Sequence, residues 1–518
     1  MTNAKDLDQT SVYTTLEALA KTPFHLRDVL TPERMANYCV SNGPISLFYG
    51  ASLVNETVLS ALQSLADEQQ VIPKYQALLA GNAVNVGENR KVLHHQTRSS
   101  QDRGFYGAEQ LRIATFAESV RSGLFRGYTG KKFKTVVQLG IGGSDLGPRA
   151  LYLALERYVI SAKQDQPIKA LFAANVDPDD MALVLSHIDF ESTLFVVVSK
   201  SGTTQETLTN LAFVQEKALA YGMSDADLCR HFVAVTGKGS PLDDPARYLM
   251  SFYIDDFIGG RYSSTSAVGG VVLSLAFGAD TFEAFLRGAG QMDEAALEPS
   301  LCQNMALLSA CIGVWERSFL GFPAKAVIPY AESLSRFPAH LQQLDCESNG
   351  KSVNTRFESI GYQTGPLIFG EPGTNGQHSF FQKLHQGSDC IPIQFLGFKH
   401  PQMFQDITTY GSTSQDKLIA NMVAQIIALA VGKDHENANK AFPGNRPSSL
   451  IFADQLTPEV LGALLAFYEN VVMFQGFLWN LNSFDQEGVQ LGKVLTQKIL
   501  DPTTEKEALL SSFFSLLR

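Results

Sequence analysis

Charged side chains are scarce in this sequence of 518 residues. Only 18% of the residues are Asp, Glu, Lys or Arg, whereas soluble proteins average about 25%. Hydrophobic residues reach 45%, which excludes an intrinsically disordered chain. Positive charge is the scarcer sign, with 41 Lys and Arg against 52 Asp and Glu and a formal net charge of −11, and this disfavours nucleic acid as a partner. We therefore expect a compact, mostly buried protein with further surface hidden in a subunit interface.

Paired cysteines and long apolar runs are also lacking. The six cysteines are dispersed and include no C-x-x-C pair, which favours free thiols in a reducing compartment over a disulfide framework or a structural zinc site. The N-terminal residues show no apolar core of a secretory signal. Two apolar helical stretches, 266–279 and 418–432, are shorter than the roughly 20 residues that span a bilayer. The sequence therefore predicts a soluble cytoplasmic protein with no membrane partner.

Hydrophobic patterning predicts helices before residue 110, with no strong strand run, and then two rounds of alternating strands and helices. Strand candidates of the first round lie at 135–139, 169–174, 193–198, 231–236 and 252–254, and those of the weaker second round at 324–329, 366–369, 391–398 and 449–453. Strands that are apolar on both faces and alternate with helices indicate an α/β fold with parallel sheets covered on each side. We predict a mainly helical segment (1–114), a first α/β domain (115–285), a helical connection (286–320), a second α/β domain (321–480) and a C-terminal helical extension (481–518).

A glycine-rich turn follows the first of these strands. The segment GIGGSDLGP at 140–148 leads from a strand into a helix, where exposed backbone N–H groups and the helix dipole suit an anion. It is not a dinucleotide fingerprint, because Asp145 stands where the third glycine would be, while Ser144 adds a hydroxyl. A tight turn that needs glycine only for its backbone conformation is an equally good interpretation of this segment alone. A nucleotide-binding phosphate loop is absent too, since Asp345 replaces the leading glycine before GKS at 350–352.

A cluster of hydroxyl groups follows the third strand of the same round. The segment VVVSKSGTTQET at 196–207 supplies Ser199, Ser201 and Thr204, with Lys200 among them. Ligands of open α/β sheets bind beyond the carboxyl ends of strands, so two anion-suited turns in one sheet suggest a phosphate pocket. Helix N-caps are the alternative interpretation of the cluster taken alone.

Five further side chains could take part in acid–base chemistry. Arg261 follows two glycines in FIGGRYSS and could face a developing oxyanion, although a surface ion pair is the commoner fate of an isolated arginine. Glu347 lies among polar residues after a helical stretch and could equally be a helix-end carboxylate. His378 and His385 are separated by two helical turns, about 10 Å, which is too far for one metal ion, so acid–base work is the better use of one of them. Lys493 lies in a predicted helix, where solvated lysine is the common case.

Together these segments resemble the glucose-6-phosphate isomerase (phosphoglucose isomerase) family. Six motifs occur in the family's order and at about its spacing: GIGGSDLGP, SKSGTTQET, GGRYSS, QQLDCESNGK, GEPGTNGQHSF with LHQG, and NSFDQEGVQLGK. The resemblance implies two sugar-isomerase-type (SIS) three-layer αβα sandwich domains, a homodimer, and no metal or other cofactor. It also implies the interconversion of glucose 6-phosphate and fructose 6-phosphate, in glycolysis and gluconeogenesis.

The resemblance also implies roles for residues at the motif positions. Glu347 corresponds to the base that moves a proton between C2 and C1 through a cis-enediol, and Arg261 to the electrophile that faces this intermediate. His385 and Lys493 correspond to the ring-opening pair, and in the family the equivalent of His385 comes from the other subunit. The residues implied in binding the sugar and its phosphate are Gly143, Ser144, Ser199, Lys200, Ser201, Thr204, Gln343 and Gln486.

The sequence departs from the family's commonest motif residues in three places. SKSGTT replaces SKTFTT, and the hydroxyls at both ends remain. Glu487 stands where tryptophan is common and Gln490 where glutamate is common, so packing and charge near Lys493 are expected to differ.

Two hypotheses from other classes stay open at this point. A non-catalytic sugar-phosphate sensor would need the hydroxyl cluster, but not Glu347, Arg261 and His385 together. A nicotinamide oxidoreductase would need the glycine fingerprint that Asp145 interrupts. The joint presence of base, electrophile and histidine favours the cofactor-free isomerase.

Overall fold

The computed structural model describes residues 5–101, 103–163, 167–501 and 508–517. The N-terminal part is mainly helical, and Thr31 and Asn55 each begin a helix by accepting a backbone N–H bond at the N-cap. It also contains a β-hairpin that the sequence analysis missed, because its two strands have only four residues each. The elements are α1 (Tyr13–Ala20), α2 (Leu26–Val29), α3 (Pro32–Asn37), β1 (Cys39–Asn42), β2 (Ile45–Phe48), α4 (Glu56–Glu68), α5 (Val71–Leu79) and α6 (Phe105–Ser122).

The first sheet and its helices come next. Their elements are β3 (Thr135–Leu139), α7 (Leu146–Lys163), β4 (Lys169–Ala173), α8 (Pro178–Ser186), β5 (Thr193–Ser199), α9 (Gln205–Tyr221), α10 (Asp225–Cys229), β6 (Phe232–Thr236) and β7 (Met250–Tyr253). The five strands are parallel and lie in the order β4–β3–β5–β6–β7. Successive side chains face opposite sides: Val136 and Val196 pack into the main core, whereas Val137 and Val197 pack into a cluster with α9. This two-sided burial explains the unbroken apolar sequence of the strands and confirms the predicted α/β fold.

Three helices connect the two sheets. They are α11 (Ala267–Phe277), α12 (Ala279–Ala295) and α13 (Met305–Val314). Helix α11 is buried along its whole length and lies across the strands of the first sheet. Near its start the helix needs glycine, since a methyl group at Gly269 would lie 2.1 Å from the carbonyl oxygen of Ser264 in the turn before it. A π-helical turn at Trp315–Phe319 continues α13.

The second sheet is mixed. Its part of the chain contains β8 (Ala324–Pro329), α14 (Phe337–Asn349), β9 (Leu367–Phe369), α15 (Phe381–Gln386), β10 (Ile393–His400), β11 (Thr408–Thr409), β12 (Ser412–Thr413), α16 (Ser414–Val431), β13 (Ser448–Gln455), α17 (Pro458–Leu478), α18 (Gln490–Leu500) and α19 (Ala508–Leu516). The strand order is β1–β2–β13–β10–β8–β9. The last four strands are parallel, as predicted, but β2 runs antiparallel to β13. The N-terminal hairpin therefore extends the second sheet at one edge.

Helix α17 runs through the interior of the protein. Gly288 on α12 and Gly462 on α17 allow these two helices to touch, since a methyl group at either position would lie 1.9 Å from a carbonyl oxygen of the other helix. Within the described ranges, α17 is the one helix long and apolar enough to cross a membrane, and the apolar stretch that meets this test is buried inside the protein. Such burial is typical of a core helix.

The C-terminal helices leave apolar side chains uncovered. Leu491 on α18 and Leu509 and Phe513 on α19 are exposed. The predicted extension runs to residue 518, but its positions 502–507 and 518 lie outside the described residues.

Candidate active site

Two glycine turns meet at the edge of the first sheet. A methyl group at Gly143 would lie 2.1 Å from the carbonyl oxygen of Gly260, so only glycine fits at this contact. Buried Gln138 on β3 donates to the carbonyl oxygen of Ser144 at 2.7 Å and holds the first turn. The glycine turn that carries Ser144 therefore lies directly against the turn that carries Arg261.

Arg261 is fully buried, and its guanidinium lies at the centre of the site. Its Nε donates to Ser348 Oγ at 2.7 Å, and its Nη2 donates to the carbonyl oxygens of Ser483 and Asp485 at 2.7 and 2.9 Å. Its Nη1 reaches Glu347 Oε2 at 3.3 Å and Gln486 Oε1 at 3.2 Å. This arginine is thus a fixed cation rather than a surface ion pair.

Helix α14 supplies the carboxylate. Gln343 and Glu347 are one turn apart on α14 and share a face, and Gln343 Nε2 donates to Glu347 Oε1 at 3.2 Å. Arg261 contacts the other oxygen of the same carboxylate. The Glu347 side chain is still 28% exposed. A carboxylate that is held by two donors and open to solvent can exchange a proton with a bound substrate.

The hydroxyl cluster closes a loop at the carboxyl end of β5. Ser199 Oγ and Thr204 Oγ1 are 2.8 Å apart, and the backbone N–H of Gly202 donates to Ser199 Oγ at 3.1 Å. Thr204 is the N-cap residue of α9, but its side chain makes no capping hydrogen bond, so the plain N-cap interpretation does not apply to it. Ser201 Oγ accepts from the hydroxyl of Thr203 at 2.9 Å.

Lys200 ties this loop to the turn of Arg261. Its Nζ donates to the carbonyl oxygens of Asp256 and Ile258 at 3.2 and 3.1 Å. Burial lowers the pKa of Lys200 below its ordinary value, although the carboxylate of Asp256 opposes the shift. Lys200 thus connects the hydroxyl loop to the segment that leads into the Arg261 turn.

Lys351 and Asp485, which the sequence did not assign to the site, contact each other beside Arg261. Lys351 Nζ donates to the carbonyl oxygen of Asp485 at 3.0 Å and pairs with its carboxylate. The same carbonyl oxygen accepts from Arg261. Lys351 belongs to the GKS triplet that fails as a phosphate loop and to the QQLDCESNGK motif, but neither pattern assigned it a role. The signal that could have found it is its place in the QQLDCESNGK motif, four residues after Glu347.

Among the described residues, no hydrogen bond or ion pair joins His385 or Lys493 to this cluster. His385 Nε2 lies 2.8 Å from Gln425 Oε1 on α16, and its ring contacts those of Phe381 and Phe442. Lys493 is exposed on α18. The structure thus brings together the two glycine turns, Arg261, Gln343, Glu347 and Gln486, with the hydroxyl loop beside them. The contacts of the described residues do not connect the predicted ring-opening pair to this group.

No convergence of three or more His, Cys, Asp or Glu side chains suited to a metal ion occurs among the described residues. His378 and His385, weighed as possible ligands from the sequence, belong to no such group. The polar groups that converge at the site are instead those suited to an anionic, hydroxyl-rich ligand.

Comparison with known proteins assigns the chain to a family. A model of the family described as phosphoglucose isomerase matches residues 48–515. A glucose-6-phosphate isomerase of Treponema denticola is 54% identical over 96% of both chains, and one of Desulfotalea psychrophila is 47% identical over 96% of this chain and 94% of its own. The crystal structure of a glucose-6-phosphate isomerase from Chlamydia trachomatis superposes with a TM-score of 0.92 at 43% identity, covering 99% of this chain and all of the other. The resemblance of the six motifs is confirmed: this chain belongs to the phosphoglucose isomerase family of enzymes.

Proposed function

We propose that this enzyme interconverts D-glucose 6-phosphate and D-fructose 6-phosphate, with Glu347 carrying a proton between C2 and C1. The observation that carries the proposal is the carboxylate of Glu347, held by Arg261 and Gln343 and still open to solvent. The relatives named glucose-6-phosphate isomerase support the choice of substrate. Formation of glucose 6-phosphate from fructose 6-phosphate, followed by a coupled assay, tests it; tight binding of the sugar phosphate without turnover would overturn it.

The sugar phosphate is bound at the hydroxyl loop in this proposal. Ser199, Ser201 and Thr204 offer hydroxyl donors where α9 begins, and the N-terminus of a helix attracts a phosphate through its free N–H groups and its dipole. Lys200 adds positive charge beside them. Binding energy from the phosphate, which does not react, holds C1 and C2 against Glu347.

The isomerisation then needs a base and a fixed cation. Glu347 removes the proton from C2 of the open-chain aldose, and the electron pair forms the C1–C2 double bond while negative charge develops on the C1 oxygen. Arg261 stabilises that oxyanion, because a buried guanidinium needs no reorganisation when the charge forms. The C1 oxygen takes up a proton, the C2 hydroxyl loses one to become the ketone, and Glu347 returns its proton to C1. The proposal needs no metal or other cofactor.

Ring opening precedes this step, and we assign it to His385 and Lys493. A histidine can exchange protons near neutral pH, which suits protonation of the ring oxygen. His385 contacts Gln425 on α16. On another side of the same helix, Val423 and Ile427 are exposed and line an apolar groove of about 450 Å³. Such an uncovered apolar face supports a homodimer in which His385 of one chain serves the Glu347 of the other.

Mixing two inactive variants tests the shared site. Glu347→Gln and His385→Ala each inactivate their own homodimers in this scheme. Subunits exchanged at a 1:1 ratio form heterodimers in which one site has both Glu347 and His385, so about a quarter of wild-type activity is expected to return. The measurement is the fructose 6-phosphate assay after unfolding and refolding the mixture, with each variant refolded alone as control. Recovery no greater than that of the separate variants would contradict a site built from two chains.

Removing two loop hydroxyls tests the phosphate site. The double variant Ser199→Ala/Thr204→Val is expected to raise KM for fructose 6-phosphate by roughly tenfold or more, because hydrogen bonds to a charged group contribute about 1.5–3 kcal/mol each. Thr209→Val, an exposed threonine on the same helix α9, is the matched control and should leave KM unchanged. An unaltered KM in the double variant would exclude the loop as the phosphate site.

We also place the enzyme in glycolysis and gluconeogenesis in the cytoplasm, with no nucleic-acid or membrane partner. Its six free cysteines suit a reducing compartment, and its net charge of −11 disfavours nucleic acid.

A further inference from the structure

A cavity of about 40 Å³ lies behind helix α14. Leu341, Leu344 and Asp345 line it, whereas Gln343 and Glu347 leave the helix on the side of the active site. At 3.6 residues per turn the two sets point about 130° apart. The remaining walls come from β8, β9, β10, α13, α17, the π-helical turn and the loops beside them. Helix α14 therefore has the candidate catalytic cluster on one side and this cavity on the other.

Three residues that line the cavity each have a polar side-chain atom with no partner among the described residues. These atoms are Asp345 Oδ1, Tyr468 OH and Gln475 Oε1. Each residue is more than nine-tenths buried. A buried polar atom left without a hydrogen bond costs about 1–3 kcal/mol. Three such atoms around one cavity therefore indicate a ligand that satisfies them together.

We propose that the cavity is a hydration site, in which about three water molecules join Asp345, Tyr468 and Gln475 and hold α14 so that Glu347 meets the substrate. A water molecule needs roughly 10–15 Å³ of such space and two to four polar partners, and the cavity offers both. Asp345 is in this view a positioning residue, since it acts on the reaction through α14.

The titratable side chains around Asp345 are compatible with bound water molecules. Lys325 of β8 and Glu316 of the π-helical turn line the same cavity, with Lys325 Nζ 3.8 Å from Glu316 Oε2, and Arg317 and Tyr468 complete the titratable wall. Burial raises the pKa of Asp345 to about 7, although Lys325 opposes the shift. Burial also raises the pKa of Glu316. Near neutral pH the Asp345 carboxyl is therefore partly protonated and can either donate to water or accept from it.

A high-resolution crystal structure tests the occupant directly and does not depend on the proposed activity. We expect density for about three waters within hydrogen-bond distance of the three atoms. A dry cavity would overturn the proposal. So would a cation, recognised by short metal–oxygen distances and by an anomalous signal after a rubidium soak.

Two substitutions test the positioning role, which rests on the proposed function. Asp345→Leu puts a larger apolar side chain into the cavity and displaces the water, so kcat for fructose 6-phosphate should fall roughly tenfold to a hundredfold while KM stays within about twofold. Asp345→Asn keeps the hydrogen bonding and should keep kcat within about threefold. Leu344→Met, a volume-conserving change on the same wall, is the control. An unchanged kcat in a folded Asp345→Leu variant would overturn the positioning role and leave the test of the proposed function untouched.

Thermal unfolding against pH provides an independent measurement. Because folding raises the pKa of Asp345, its contribution to stability is full below the pKa of the unfolded chain and is lost as the pH rises through about 7. Asp345→Asn should therefore gain in Tm relative to wild type between pH 5 and pH 8, and a constant difference would count against a buried, titrating Asp345. If Asp345→Leu does not fold, Gln475→Leu removes another of the three partners and should show the same loss of kcat.

Discussion

Glu347→Gln is expected to lower kcat for fructose 6-phosphate by roughly 10³- to 10⁴-fold, the upper range of what a positioned acid–base group contributes. The amide keeps the shape of the side chain and can still accept from Arg261 Nη1, but it cannot take a proton from carbon. KM is expected to change by less than about threefold, because in our proposal the phosphate is bound at the Ser199–Thr204 loop and not by Glu347. The measurement is steady-state kinetics in both directions.

An exposed carboxylate elsewhere on the chain serves as the matched control for Glu347. Glu332→Gln removes the same charge at an exposed position just before α14, and its kcat should equal that of wild type. Near-normal turnover by Glu347→Gln would contradict the proposed mechanism.

Arg98→Met is expected to destabilise the protein by about 3–5 kcal/mol, the cost of leaving buried carboxylates without their cation. Arg98 is fully buried. Its Nε and Nη2 donate to the two oxygens of Asp293 on α12 at 2.6 and 2.9 Å, and its Nη1 donates to Glu469 on α17. Asn470 adds a hydrogen bond to Asp293 at 3.0 Å. The arginine thus joins the turn at His94–Arg98 to the two helices that cross at the centre of the protein.

Denaturant unfolding measures this loss. The surface pair Arg287–Glu459 joins the same two helices, so Arg287→Met is the matched control and should cost less than about 1 kcal/mol. Neutralising the acids as well, in Arg98→Met/Asp293→Asn/Glu469→Gln, should restore part of the loss, since no charge then remains buried. A loss in Arg98→Met no larger than that of the control would show that the cluster is not a stabilising centre.

Local patterns were sufficient to predict most of the parallel sheets. Strands buried on both faces read as apolar runs, and β3 and β8 have the predicted bounds. The hairpin of β1 and β2 was not predicted, because four-residue strands give almost no periodic signal in the sequence. Its pairing with β13, some 400 residues later, is a tertiary contact that no local pattern contains.

The candidate site could be predicted in part. Glycine turns and hydroxyl clusters at strand ends pointed to an anion site, because the edge of a parallel sheet brings strand ends together. The contacts of Arg261 with Glu347 and Gln486 join positions 86 and 225 residues apart, and only the family resemblance suggested them. Lys351 was missed because its partner Asp485 is 134 residues away. The roles of His385 and Lys493 stay predictions, since no contact among the described residues joins either side chain to the cluster.

Transfer of deuterium tests the central claim most directly. Glucose 6-phosphate that carries deuterium at C2 is incubated with enzyme in ordinary water, and NMR follows the label at C1 of the fructose 6-phosphate formed. If Glu347 carries the proton, wild type should move part of the label to C1 and lose the rest to solvent, whereas Glu347→Gln should do neither in the same time. Complete retention of the label at C1, with equal transfer by Glu347→Gln, would contradict the account, because it would show a hydrogen that never passes through an exchangeable carboxyl group.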